Sequence, residues 1–228
     1  MYCSSVNGRK KVSKQTTLND DTMNKFVISI GRELGSGGKE IAEKVAARLG
    51  IRFYDKKLLE IAARESGLDT TIFENADERE SHAFAGNIFS IHGAITDLFM
   101  GGSCMDADQL FAIQSDAIRN LAERESCVVV GRCAEYVLRD HPQMVSIFIT
   151  ADYEERVKYV MRHDNVDRDK ATETIEKGDK RRRQYHDYYS TGKWGEARCY
   201  DLCINSSHMG IEGTTEFLCD YIRKRLAL

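Results

Sequence analysis

No apolar stretch in this chain of 228 residues approaches the ~20 residues that a membrane-spanning helix needs. The N-terminus has basic residues but no apolar core, so it does not read as a secretory signal. Positive charge is not in excess. The formal net charge of −3 argues against a chain built to coat nucleic acid. The seven cysteines (3, 104, 127, 133, 199, 203 and 219) are odd in number, scattered and without a Cys-x-x-Cys pair. Reduced thiols in a cytoplasmic protein are the expectation. Histidines 82, 92, 141, 163, 186 and 208 have no metal-ligand spacing, and no Cys/His zinc pattern exists. No Ser/His/Asp nucleophile arrangement can be argued. What is present is a chain with 42% hydrophobic residues, enough for one domain with a sizeable core.

Residues 1–22 are polar and aperiodic and read as a flexible leader, with the domain over 23–228. Apolar runs at 27–31, 51–54, 127–131, 145–149 and 201–204 read as strands. Helical patterns are read at 38–49, 56–66, near 70–80, 106–125, 133–139, 152–163, 167–189 and 211–225. In the fourth of these, Leu110, Ile113, Ala117, Ile118 and Leu121 share one face. Residues 81–105 scatter glycine, histidine and aromatics, and read as a mobile insertion with partial helix. Strands alternating with helices imply an α/β fold, a five-stranded parallel sheet covered on both faces.

Between the first strand and the first long helix lies Gly31-Arg-Glu-Leu-Gly-Ser-Gly-Gly-Lys39. Glycines let backbone N–H groups curl around an anion, and a helix N-terminus adds partial positive charge. A lysine at the helix start can reach the outer phosphates. Strand, glycine loop, lysine, helix is therefore the layout of a phosphate-binding loop, although an ordinary tight turn uses similar residues. Two places depart from the full pattern: Glu33 stands where glycine is usual, and Glu40 where a Ser or Thr hydroxyl usually meets Mg²⁺. A carboxylate in the first helical turn is also favoured by the dipole alone.

Gly131-Arg132 ends the third strand, and ligands of doubly wound sheets sit at strand carboxyl ends. Arg132 is suited to bidentate phosphate recognition, or to a surface pair with Glu135. Asp179-Lys-Arg-Arg-Arg183 is followed by Tyr185, Tyr188, Tyr189 and Trp194. This run reads three ways: a solvated helix face, a single-stranded nucleic-acid surface, or a lid whose arginines neutralise a transferring phosphoryl group. Only one or two of its arginines can face a cleft from one helix.

Together these segments resemble the cytidylate kinase-like family, a branch of the nucleoside monophosphate kinases, over about residues 25–225. The resemblance rests on 28–41 (Ile-Ser-Ile-Gly-Arg-Glu-Leu-Gly-Ser-Gly-Gly-Lys-Glu-Ile), Phe53-Tyr-Asp55 and Val128-Val-Val-Gly-Arg-Cys-Ala134. It continues through Asp179-Lys-x-Arg-x-x-Tyr185, Thr191-Gly-Lys-Trp-Gly195 and Tyr200-Asp-Leu-Cys-Ile-Asn-Ser206.

The resemblance implies a P-loop NTPase fold with an acceptor-binding insertion at 81–105 and a short lid at 179–198. It implies ATP and Mg²⁺, with transfer to a nucleoside monophosphate, CMP or dCMP first. Gly35, Ser36, Gly37, Gly38, Lys39 and Glu40 would hold ATP, with Asn205 and Ser206 near its adenine end. Asp55 and Arg132 would meet the acceptor. Lys39, Arg156 and Arg182 would carry catalysis, Arg182 arriving on lid closure with Lys180 and Arg183 as helpers. Arg156 equally suits an ordinary helix pair. No protein ligand for the metal is assigned. Cys133 stands where cytidylate kinases carry Asp, and reads as a small buried helix residue. A nucleotide-binding regulatory module, a kinase for another small acceptor and a single-stranded nucleic-acid binder remain as rival readings. Partners are expected to be small nucleotides, with neither membrane nor nucleic acid. The oligomeric state is not legible.

Overall fold

The structure, a computed structural model, describes residues 25–57 and 107–228. The expected leader, the helices at 56–66 (beyond its first two residues) and 70–80, and the 81–105 insertion lie outside the described residues.

The apolar runs form β1 (Val27–Arg32), β2 (Arg52–Tyr54), β3 (Cys127–Val130), β4 (Met144–Thr150) and β5 (Leu202–Asn205). They align in the order β2-β3-β1-β4-β5, and every pair is parallel. Such a sheet is covered on both faces, which explains why β1, β3 and β4 read as continuous apolar runs. The described helices are α1 (Gly38–Leu49), α2 (Ala107–Arg124), α3 (Ala134–Val137), α4 (Tyr153–Asp164), α5 (Arg168–Tyr189) and α6 (Gly210–Leu226). Their ends match the sequence reading closely, with α3 shorter than expected.

Alternate residues of the central strand feed opposite cores. Ile28 and Ile30 pack with Ile41 and Val45 of α1 and with Leu218 and Ile222 of α6. Val27 packs with Val129, with Ile118 and Leu121 of α2, and with Val137 of α3. Burying each such side chain stabilises the fold by about 1.5–3 kcal/mol, so β1 is anchored on both faces. A separate cluster of Val157, Val160, Ala171 and Ile175 holds α4 against α5.

All five strands run the same way, so their carboxyl ends share one edge of the sheet. That edge carries the glycine loop after β1, Asp55 after β2, Gly131 to Cys133 after β3, Ala151 and Asp152 after β4, and Ser206 after β5.

Candidate active site

The glycine loop turns at Gly35 (φ 83°) and Gly37 (φ 70°), both left-handed. A Cβ at Gly35 would lie 2.7 Å from the Arg156 carbonyl oxygen, so only glycine fits there. Ser36 staples the loop internally. Its hydroxyl donates to the Glu33 carbonyl (2.9 Å) and accepts from the Gly38 N–H (3.3 Å). The buried Ser206 hydroxyl donates to the Ser36 carbonyl (2.8 Å), tying the end of β5 to the loop.

Glu33, which looked like a flaw in the motif, is a fastening. Its carboxylate accepts from the Thr150 hydroxyl and lies 3.2 Å from Arg156 Nη1. Arg156 is 6% exposed. Its Nε donates to the Leu34 carbonyl (2.8 Å) and its Nη2 to Asp179. Asp179 also accepts from the Leu34 N–H (2.8 Å). Three charged side chains, Glu33 just after β1, Arg156 of α4 and Asp179 of α5, thus clamp the shoulder of the loop. Arg156, expected to carry catalysis, has its guanidinium engaged by the Leu34 carbonyl, Glu33 and Asp179.

Cations gather in front of it. Lys39 lies in the first turn of α1, and its Nζ lies 2.9 Å from Asp55 and 3.8 Å from Glu43. The Asp55 contact raises the Lys39 ammonium above its ordinary value. Arg132 lies with its guanidinium 5.2 Å from the Tyr185 ring centre. Gly131, Arg132 and Cys133 are consecutive left-handed residues (φ 75°, 61° and 53°). Strain of order 1–3 kcal/mol at each non-glycine position persists only where surrounding structure enforces it, as at ligand sites. Arg182 reaches inward from α5, and its Nη1 donates to the Arg32 carbonyl (3.0 Å). Arg32 itself was given no role from the sequence, yet it extends between the loop and Gly131. Gly-Arg occurs at the ends of two strands, 31–32 and 131–132, and only the structure makes these strands neighbours.

Other expected site residues stand further out. The Glu40 side chain is 44% exposed, with Lys44 at 3.8 Å. Asn205 donates to Asp152 (2.8 Å), and its carbonyl accepts from the Ser207 N–H. Lys180 and Arg183 are exposed, and Arg183 lies 5.5 Å from the Trp194 ring centre. Cys133 is buried, as expected, and burial pushes its thiol up. Residues 179–189 continue α5, and the segment after it folds back so that Trp194 meets Phe148 edge-on at 5.2 Å. Tyr189 stacks on Phe111 at 4.0 Å, with Tyr185 4.9 Å from Tyr189. Most aromatic faces of the basic run are therefore spent inside the molecule, against the nucleic-acid reading.

Behind the arginines, buried His186 lies 2.9 Å from Glu135, which accepts from Ser29 (3.2 Å). This pairing takes Glu135, the alternative partner considered for Arg132. Burial alone would lower the His186 imidazole, but the Glu135 and Asp187 carboxylates outweigh it and raise it. A raised folded-state value contributes stability that is full below ~6.5 and lost as pH rises through the raised value. The urea midpoint of the wild type is therefore expected to fall as pH rises above ~6.5, relative to that of His186→Gln. Parallel curves for the two proteins would remove this pair as a source of pH dependence.

Among the described residues, no three His, Cys, Asp or Glu side chains converge as a metal cage. Mg²⁺ usually takes one or two carboxylates, keeps several waters and binds the substrate's phosphates. Glu40 would be the carboxylate to offer it a hard oxygen donor. No described helix is long and apolar enough to cross a membrane.

A central parallel strand, a glycine loop, a lysine heading the next helix and arginines on the same edge define a P-loop kinase fold. The family model described as the cytidylate kinase-like family matches residues 27–208, and the chain belongs to that family. A cytidylate kinase of Haloarcula marismortui is 26% identical over 137 residues, 58% of this chain and 70% of that protein. The crystal structure of an uncharacterized protein from Eubacterium ventriosum aligns with a TM-score of 0.65 at 32% identity. That alignment covers 87% of this chain and 98% of the other.

Proposed function

We propose that the protein transfers the γ-phosphoryl group of ATP to a nucleoside monophosphate, with CMP and dCMP as the first acceptors to test. The observation that carries this reading is the contact between Lys39 and Asp55, 2.9 Å apart in front of the glycine loop. The lysine expected at the donor phosphates thus lies against the carboxylate expected at the acceptor, which supports the reading. Triphosphate would draw Lys39 away from Asp55 and leave that carboxylate to meet the acceptor.

An oxygen of the acceptor phosphate attacks the γ-phosphorus. The new P–O bond forms as the β–γ bridge breaks, and the electron pair leaves on ADP. No side chain acts as nucleophile, because phosphoryl transfer is mostly positioning and charge neutralisation. Lys39 holds the outer phosphates and Arg132 the acceptor phosphate. Arg182 neutralises the group in transit. Arg156 acts as a positioning residue, since it fixes Leu34 and Glu33. Bound Mg²⁺ would offset charge on the triphosphate. Free thiols at the described cysteines suit a cytoplasmic location.

A coupled ADP-release assay across CMP, dCMP, UMP and AMP tests the proposal. ADP formation that depends on a cytidine monophosphate is the expected result. ATP binding with no acceptor-dependent turnover would favour a regulatory module, the reading that Glu40 in place of a hydroxyl keeps alive.

A further inference from the structure

We propose that Arg32 is a direct ligand of the phosphoryl group in transit, seated between the glycine loop and Arg132. The inference rests on the phosphotransfer reading above and assigns a new residue to it.

Position comes first. Arg32 is the last residue of β1, and β1 is flanked by β3 and β4. The donor loop follows it in the chain, and the Gly131-Arg132 turn stands at the end of the neighbouring strand. Two glycines make room for it. A Cβ on Gly38 would come within 2.6 Å of the Arg32 Cβ, and a Cβ on Gly131 would collide with its guanidinium. The glycine that opens α1 and the glycine that ends β3 both leave space for this one side chain.

Charge comes second. Arg182 and Arg132 are the largest charged influences on Arg32, and both repel it. The carboxylates that attract it, Asp55 and Asp179, are shared with other groups, Asp55 with Lys39 at 2.9 Å and Asp179 with Arg156 and the Leu34 N–H. Burial, followed by the two arginines, lowers Arg32 to about 9. Three guanidiniums gathered with so little compensation are costly unless an anion completes the site. A phosphoryl group with charge spread over its equatorial oxygens is such an anion, and a planar fork of N–H donors matches it. The chemistry needs no proton from Arg32. The bond made to the acceptor oxygen and the bond broken to ADP balance without it.

The test uses Arg32→Met and Arg32→Lys in the full chain, with two readouts. One is thermal melting with and without inorganic tripolyphosphate; the other is ADP release with the best acceptor. Arg32→Met is expected to keep or raise the ligand-free midpoint, because repulsion from Arg132 and Arg182 is relieved. It should lose most of the tripolyphosphate-induced rise and about 10²–10³-fold in turnover. Arg32→Lys should fall between, since an ammonium lacks the fork. A wild-type tripolyphosphate shift in Arg32→Met would overturn the proposal, as would wild-type turnover. So would a lower ligand-free midpoint with the shift intact, which marks a structural arginine. Should Arg32→Met fail to fold, the same criteria apply to Arg32→Lys. If the wild type turns over no nucleotide, the proposed function fails, while the tripolyphosphate shift still decides the role of Arg32.

Discussion

Arg156→Leu is expected to destabilise the protein by about 3–5 kcal/mol, the usual cost of removing one partner from a buried ion pair. Two carboxylates, Glu33 and Asp179, would lose their shared cation, and the Leu34 carbonyl would lose a donor. Total stabilities run to about 5–15 kcal/mol, so a large fraction of the fold's margin is at stake. Urea unfolding measures it directly. Lys158→Ala serves as the control. Its exposed pair with Glu155 on the same helix α4 is worth at most about 1 kcal/mol. A loss in Arg156→Leu no larger than in this control would show that the clamp does not hold the loop.

A second variant separates charge from hydrogen bonding. Asp179→Asn keeps an oxygen that can accept from the Leu34 N–H, and removes the charge facing Arg156. It should cost less than Arg156→Leu, because Glu33 still balances the guanidinium. Both variants should weaken ATP binding in proportion to how far they loosen residues 33–35.

The difference between what the sequence revealed and what it hid follows from separation along the chain. Strands β1, β3 and β4 were legible because a parallel strand buried on both faces must be nearly all apolar: Cys127 to Val130 is so throughout, and Val27 to Ile30 is broken only by Ser29. The loop was legible because its glycines and Lys39 are consecutive. The clamp was not. Asp179 meets Leu34 across 145 residues, and nothing local to either position announces the pairing. Glu33 therefore looked like an imperfect glycine, although its carboxylate joins the end of β1 to Thr150 and Arg156. Arg32 was hidden for a different reason. Its importance depends on β3 lying beside β1, and strand order cannot be read from periodicity. The basic run shows the limit of charge patterning. Helical geometry allowed only one or two inward arginines, and Arg182 reaches inward while Arg183 stays exposed. Sequence alone could not tell that Tyr189 would spend its ring on Phe111 rather than on a ligand.

Arg182→Ala is expected to lower turnover by about 10³-fold with a much smaller effect on ATP binding, the pattern of a charge used in the transition state. The sequence alone suggested an arginine that swings in on lid closure. In the structure, Arg182 already lies on α5 with Nη1 on the Arg32 carbonyl, so no large movement is needed to bring it to the strand ends. Burial, the largest influence, and the nearby Arg156 both lower it, while Asp179 works the other way. A guanidinium placed this way gains most when negative charge develops beside it in a site closed to water. Losing its hydrogen bond to the Arg32 carbonyl should cost only about 1 kcal/mol of stability, so the variant remains folded and its kinetics interpretable. Arg182→Lys distinguishes charge from geometry. If a point charge suffices, lysine restores most of the turnover; if the fork is needed, it restores little. Single-turnover measurements at saturating ATP give the chemical step, and equilibrium titration gives ATP affinity. Equal losses in the two would remove Arg182 from the transition state and leave it a ground-state ligand of the triphosphate.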